Sequence, residues 1–531
     1  MSRGVSASAH KPGTTPEVTT EARFGPARLR PILLLLYSVP LMVIVKGLAI
    51  HLNVPLNHDV AWLLIAAGRM LAHGSYSNDF FEVNMPLAIG IYIPPHFLAR
   101  WFGQSIPMAN LAWTFILVIQ SAGLSTLLTP VDRKPHGIGL EPVWMAWILF
   151  GLIFLPGYDF GQKEHLVIVL TLPFLTLLTN SSRGASPALR VYVSCLAGVG
   201  FFLKPHFAFL PLLLLGWMAL REKSWKPLWS VEAITLLAVG ALNAMIVFEH
   251  FPDWFLCARW AGDLYGAYQA ASWKGLFLID SMPIFGIVGI FLLLLALRNA
   301  NFRSMAWPLL LAAVYGWLAY LLQFKGWTYQ FLPVSIPLFL ALGLACLNSI
   351  ANSTVDVPRG RTIAIVYASI TALTVGQVIY QTRDLPTIAQ LERSVTGQAF
   401  SLAKKGDYVY AFTTTVVPVF PTVVEMDLNW ASRYPALWPL AGLAQARARD
   451  GVETADHLQD LYGATLLTSV TDDLERFSPS VVLVDQRIGQ FGLPRDYNIL
   501  DYFLGDARFR QIWGRYKEFG TGGGFAIYLR T

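Results

Sequence analysis

The sequence predicts a polytopic α-helical membrane protein of about 11 transmembrane helices, followed by a C-terminal α/β domain. Two observations carry this. Of 531 residues, 55% are hydrophobic and only 14% charged, whereas soluble domains run near 25% charged. The shortage of charge ends near residue 381, beyond which Asp, Glu, Lys and Arg return to ordinary density. Mean hydropathy is +0.50, and 13% aromatic residues suit belts at a membrane interface. The net charge of +6 is scattered through short turns and forms no patch, which argues against nucleic acid as a partner. Cys195, Cys257 and Cys346 lie far apart in or beside apolar runs, so no disulfide framework or zinc pattern exists.

Residues 1–30 are polar and rich in Ser, Thr, Pro and Arg, and read as a disordered cytoplasmic tail. This lead is too long for a cleaved signal peptide, so Pro31–His51 stays as an anchor. A spanning helix needs roughly 20 apolar residues. Segments that qualify lie at 31–51, 108–128, 142–158, 165–180, 189–203, 205–220, 230–249, 275–297, 305–322, 331–350 and 361–380. Residues 87–102 are short, contain Pro94 and Pro95, and end near Arg100; they read as a juxtamembrane or re-entrant helix on the outer face. Charge placement supports that choice. Most Lys and Arg, such as Arg28, Arg30, Arg133, Lys134, Arg183, Arg221, Lys223, Arg298 and Arg303, then fall in inner segments. The outer loops up to the last span hold only Arg69, Arg100, Lys163, Lys204, Arg259, Lys274 and Lys325. An odd number of spans puts 382–531 in the periplasm or an equivalent outer space, with 31–381 as the inner-membrane module. Within 382–531, strands are expected at Tyr408–Val417, Val481–Asp485 and Phe525–Leu529, with helices near 436–449 and 454–465.

The ionisable residues outside the inner loops converge on one face. The first outer loop carries Asp59, Asp79, Glu82 and Asn84. The next turn, GYDFGQKEH, carries Asp159, Lys163, Glu164 and His165. Lys204 and His206 follow, then Arg259, Asp263 and Tyr265, then Lys325 beside Trp327. Acids next to Lys and Arg suit a carboxylate base working with an anionic leaving group, and phosphate is the obvious anion. Blander roles compete. Asp59 could cap the helix that follows it. His165 and His206 could bond at the interface or hold a metal. Lys325 could merely snorkel. Asp253, Asp263, Lys274 and His250 could be solvated loop charges. In the C-terminal domain, Trp430, Arg433, Tyr434 and Trp438 are of a kind that stacks on sugars or packs a core.

The pattern D-x-x-W (Asp59 to Trp62), ML-x-x-G (Met70 to Gly74) and Y-x-x-DFFE-x-N-x-PL (Tyr76 to Leu87) resembles the first outer loop of the C-type (GT-C) membrane glycosyltransferases. That superfamily includes protein O-mannosyltransferases and lipid A aminoarabinose transferases. The resemblance covers about 31–380, and a turn K-G-W-x-Y-x-x-x-P (Lys325 to Pro333) is similar to one in bacterial members. It implies a GT-C-like fold and an inverting enzyme that uses a polyprenyl-phosphate-linked sugar donor and a cell-envelope glycan, lipid or protein acceptor. It implies a general base at Asp59, a second acid at Asp159 or Glu164, and juxtamembrane helices at 60–73 and 87–102. Two positions depart: Val60 follows Asp59 where many members have a second acid, and Asn84 stands where aminoarabinose transferases carry Lys. A phosphate contact then falls to Lys163, Arg259 or Lys325. The residues name no certain cofactor and leave a divalent metal open. A transporter or flippase would place its acids near mid-membrane in related halves; a glycan ligase would share the site. The 382–531 domain is expected to influence acceptor choice.

Overall fold

The computed structural model describes residues 26–129, 141–179, 184–265, 272–277, 282–351, 357–449 and 451–531. The expected tail therefore lies outside the described residues up to position 25, as do Arg133, Lys134 and Arg183. The expected apolar segments fall on helical stretches, although 205–220 divides into Pro205–Phe209 and Leu210–Glu222, and 275–297 covers parts of Trp273–Phe277 and Met282–Arg298 with residues 278–281 outside the described ones. Four helical stretches are long and apolar enough to cross a membrane: Ile106–Leu128, Val231–His250, Phe302–Gln323 and Thr328–Leu347. Tyr37–His51, Glu141–Phe154, Pro187–Phe202 and Met282–Arg298 are apolar but shorter. The starts follow local chemistry. Ser105, Ser186, Ser230 and Asn299 each accept an amide of the first turn at 3.5, 3.3, 3.3 and 3.0 Å.

Residues 87–102 break into two short helices, Pro86–Gly90 and Ile93–Phe102. Prolines 94 and 95 can start a helix but not continue one, and Gly103 at φ +62° ends the second. Ten residues rise about 15 Å, half of a bilayer core. Neither piece is long enough to cross.

At the centre runs Lys163–Thr179, in which every residue is buried. It packs against Pro187–Phe202, Ile106–Leu128, Ala300–Gln323 and Leu332–Ala351. Gly200 allows the close approach: a Cβ there would sit 2.8 Å from the Thr171 methyl. Gln162, just before this inner helix, donates to Asp59 at the start of the helix His58–Leu71.

The C-terminal region folds around a five-stranded sheet of order β2-β1-β3-β5-β4. The strands are β1 Tyr408–Phe412, β2 Asn429–Trp430, β3 Val481–Asp485, β4 Tyr516–Gly522 and β5 Phe525–Arg530. β1 runs parallel to β2 and β3, with Val409 opposite Val481; β5 is antiparallel to β3, with Val481 opposite Leu529. β1, β3 and β5 lie on the runs expected to be strands. β2 and β4 lie on none, because one is two residues long and the other is Gly-rich and polar. Gly523 and Gly524, at φ +54° and +84°, close the β4–β5 hairpin as its turn requires.

This sheet unit is seated on the loop that follows the first helix. Phe81 N donates to Arg433 O at 2.7 Å, Leu56 N to Glu425 Oε1 at 2.7 Å, and Ile388 N to Asn53 O at 3.0 Å. Arg476 pairs with Asp79 at 2.9 Å. Whichever side of the membrane holds Asp59 therefore holds the sheet.

Candidate active site

Helix His58–Leu71 begins where Asn57 Oδ1 accepts the amides of Asp59 and Val60 at 2.9 and 3.4 Å. Asn57 is thus the cap, and the Asp59 carboxylate is left for other work. It is half-buried, accepts from Gln162 Nε2 at 2.8 Å, and lies 3.7 Å from His58 Nε2. Burial pushes its carboxyl up. The charges of His58, Lys163 and Lys204 together outweigh burial and hold it below the ordinary carboxylate value.

The facing wall comes from the inner helix and the turn before it. Gln162, Lys163 and Glu164 are all buried. Glu164 Oε1 is ion-paired with Lys204, and the Lys204 ammonium stands 5.7 Å from the Tyr329 ring centre. Lys163 has no ion-pair partner among the described residues. Lys325 donates to Tyr265 O at 3.3 Å and lies 5.1 Å from the Tyr265 ring; burial lowers its pKa.

These groups enclose a cavity of about 330 Å³. Asp59, Glu82, Asn84, Lys163, Lys204 and Lys325 line it together with Trp62, Tyr265, Trp327 and Tyr329. The sheet unit closes it with Val416, Pro435, Ala436 and Trp438. Val416 follows β1 and residues 435–438 follow β2, so the carboxyl ends of two parallel strands face the cavity. That is the edge on which α/β sheets usually bind ligands.

Other predicted residues have different surroundings. Glu82 lines the cavity with both oxygens in use: Oε2 accepts from Trp62 Nε1, and Oε1 from the Asn84 amide at 2.8 Å. Asp79 stands off the cavity, accepting from Ser75 N at 2.8 Å and from Arg476. His165 is fully buried; its Nδ1 accepts from Gly161 N at 3.0 Å, so Nε2 carries the proton and donates to Leu152 O at 2.8 Å. Arg259 is 66% exposed and faces Asp263 at 4.0 Å, away from the cavity. Glu164 stands off the cavity lining, paired with Lys204, which does line it. Asp253 accepts from Ser77 N at 2.9 Å. Trp430 and Tyr434 are core residues, Arg433 is paired with Asp473 at 2.9 Å, and Trp438 reaches the cavity wall. Gln162 was not singled out from sequence. Gln162 lies inside the GYDFGQKEH turn, a usable signal; Tyr329 is the Tyr of the K-G-W-x-Y turn, and Tyr265 shares a polar loop with Arg259 and Asp263.

Asp159 is buried behind the cavity. Its Oδ1 accepts from Asn57 Nδ2 at 3.0 Å and its Oδ2 from Thr328 Oγ1 at 3.0 Å. It thus joins the cap of the Asp59 helix to the Lys325–Pro333 turn. Burial, with Glu164 and Asp59 adding to it, raises its pKa to about 7. For a raised acid the fold favours the neutral form. Its contribution to stability is full below the ordinary carboxylate value and is lost as pH rises through about 7. Asp159→Asn should remove this dependence and turn an amide NH₂ toward a donor. We expect turnover to fall about tenfold, the cost of roughly one buried hydrogen bond. A loss of kcat on acidification with midpoint near 7 should be present in the wild type and absent in the variant. Identical pH–rate profiles would remove Asp159 from any positioning role.

A second cavity, of about 510 Å³, is apolar and lies between Met282–Arg298, Ala300–Gln323 and Leu332–Ala351. Phe285, Ile290, Val314, Trp317 and Phe331 line it. Tyr329 and Gln330 line the lysine cavity, so one turn separates the two spaces. Among the described residues no three His, Cys, Asp or Glu side chains are grouped to hold a metal ion.

No protein-family model and no curated sequence matches the chain. Solved structures do. ArnT from Cupriavidus metallidurans, in the apo state, aligns over 94% of this chain and 98% of its own, at 14% identity and a TM-score of 0.53. Archaeal oligosaccharyltransferase AglB from Archaeoglobus fulgidus, in complex with an inhibitory peptide and a dolichol-phosphate, aligns over 93% of this chain and 74% of its own. Its identity of 11% and TM-score of 0.43 are too low to argue from. The match to ArnT runs end to end in both chains and gives this chain the same overall fold as that protein.

Proposed function

We propose that the protein is an inverting glycosyltransferase that moves a sugar from a polyprenyl-phosphate donor to a cell-envelope glycan, lipid or protein. The observation that carries this reading is the Asp59 carboxylate sharing a cavity with Lys163, Lys204 and Lys325. The lysines bind the donor phosphate and stabilise its charge as it leaves. The acceptor oxygen forms its bond to the sugar C1 while the bond from C1 to the phosphate oxygen breaks. The bonding pair departs with the polyprenyl phosphate, and the hydroxyl proton passes to Asp59. A carboxylate held below its usual pKa is a weak base at rest. It orients the hydroxyl first and takes the proton as the new bond makes that oxygen acidic. The apolar cavity one turn away suits the prenyl chain.

The reaction face in this reading is the outer face of the inner membrane, with the N-terminus cytoplasmic and 382–531 periplasmic. Purified protein in proteoliposomes should consume a polyprenyl-phosphate sugar and release polyprenyl phosphate only when an acceptor is present. No turnover with any envelope extract as acceptor would reject the reading. For orientation, Gln104→Cys should label from outside with an impermeant thiol reagent and Lys134→Cys should not. The reverse pattern would place Asp59 on the inner face.

A further inference from the structure

A third space lies on the far side of the turn that carries Thr328. It is a cleft of about 580 Å³ among residues 155–159, the start of Leu332–Ala351 and the end of Val357–Arg383. Its polar lining includes Asp159, Thr328, Ser335, Gln377, Gln381 and Asp384. Among the described lining residues there is no Lys, Arg or His. The lysine cavity has the opposite character, and the Asp159–Thr328 hydrogen bond of 3.0 Å stands between them. Successive residues of one turn serve both: Trp327 and Tyr329 face the lysines, Thr328 the acidic cleft.

The chemistry of the lining selects a ligand. The Asp384 carboxylate, the partly ionised Asp159 and the lack of any cation in the lining offer a phosphate or carboxylate group no counter-charge. The side chains of Gln377, Gln381 and Asp384 make no hydrogen bond among the described residues, so their donors and acceptors are open. Each oxygen of Asp159 has accepted one bond and keeps a second lone pair. Amides and carboxylates spaced along a cleft match adjacent hydroxyls, each of which both donates and accepts. Tyr380, 62% exposed at the mouth, offers a ring for the apolar face of a sugar. A prenyl or acyl chain would leave all these groups unsatisfied.

We propose that this cleft binds an uncharged glycosyl group of the acceptor, apart from the anionic donor headgroup held by the lysines. The word acceptor rests on the transferase reading; the binding of an uncharged sugar does not. Occupancy then lies directly behind Asp159, which holds Asn57 and so the end of the helix that bears Asp59.

The test is binding of full-length protein, in phosphatidylcholine nanodiscs, to an array of neutral, phosphorylated and carboxylated glycans. Neutral glycans should bind. The double substitution Gln381→Ala and Asp384→Ala, at a half-buried and an exposed position, should weaken them about thirtyfold, two hydrogen bonds at roughly 1 kcal/mol each. Gln377→Leu should also weaken them, and Lys163→Ala, in the other cavity, should not. Capture of only phosphorylated or carboxylated glycans, capture of none, or neutral binding unmoved by both lining variants would overturn the proposal. Neutral binding as expected, with no transfer from any polyprenyl-phosphate sugar, would sink the transferase reading and leave the site standing.

Discussion

Asp59→Asn is expected to lower sugar transfer by about 10²–10⁴-fold, the usual contribution of a positioned acid or base, while the protein stays folded. Asn has the same shape, and its Oδ1 can still accept the Gln162 amide that Asp59 accepts at 2.8 Å. What is lost is the charge that takes the acceptor proton in the proposed reaction. Lys163 and Lys204 lose an anion, so donor phosphate should bind as well as before or better. The split is therefore diagnostic: kcat falls, and KM for the donor holds or drops. Single-turnover transfer in proteoliposomes measures it, and near wild-type turnover would exclude Asp59 as the base. The pH dependence has a definite sign. The Asp59 carboxyl is held below its ordinary value, so its stabilising charge contacts are complete above that value. They are lost only as pH falls through the lowered one. An acid limb near 7 would belong to Asp159, not to Asp59.

Arg69→Ala should be the most damaging change away from the cavity. The Arg69 guanidinium reaches out of helix His58–Leu71 into the seam with the sheet unit. Nη1 donates to Asp79 O and Ser432 O, both at 2.6 Å, and Nη2 donates to Trp430 O. Burial lowers its pKa to about 10, still charged at neutral pH. Truncation leaves three carbonyls without a donor in a part-buried seam, a loss of about 3–5 kcal/mol. Arg69→Lys should recover only part, because a single ammonium lacks the fork that serves separate carbonyls. Thermal unfolding should shift down, and limited proteolysis should release a fragment near 382–531. Transfer should fall too, since Val416 and Trp438 are part of the cavity wall. An unchanged midpoint and an intact chain after proteolysis would show that Arg433, Glu425 and Arg476 hold the seam without it.

The sequence by itself determined the class of molecule and marked polar stretches that meet in one cavity. Hydropathy and charge density are sums over neighbours in the chain, so the apolar helices could be read without knowing what packs on what. The Pro94-Pro95 break in 87–102 was legible for the same reason, since a proline acts on its own backbone. Asp59, Glu82, Asn84, Lys163 and Lys325 lie in short polar stretches between apolar runs, and all five line one cavity. Only the tertiary structure decided which of the other polar groups serve the site and which serve the fold. Nothing local separates Asp79, tied to Arg476 far along the chain, from Asp59, which faces the cavity. His165 reads like a ligand until its two nitrogens are found occupied by Gly161 and Leu152. The sheet's part in the cavity was equally hidden. Trp438 meets Tyr265 at a ring distance of 5.6 Å, and Asp159 meets Thr328 across more than a hundred residues. Burial and partnership arise from chain segments brought together by packing, and no spacing along the sequence encodes which segments those are.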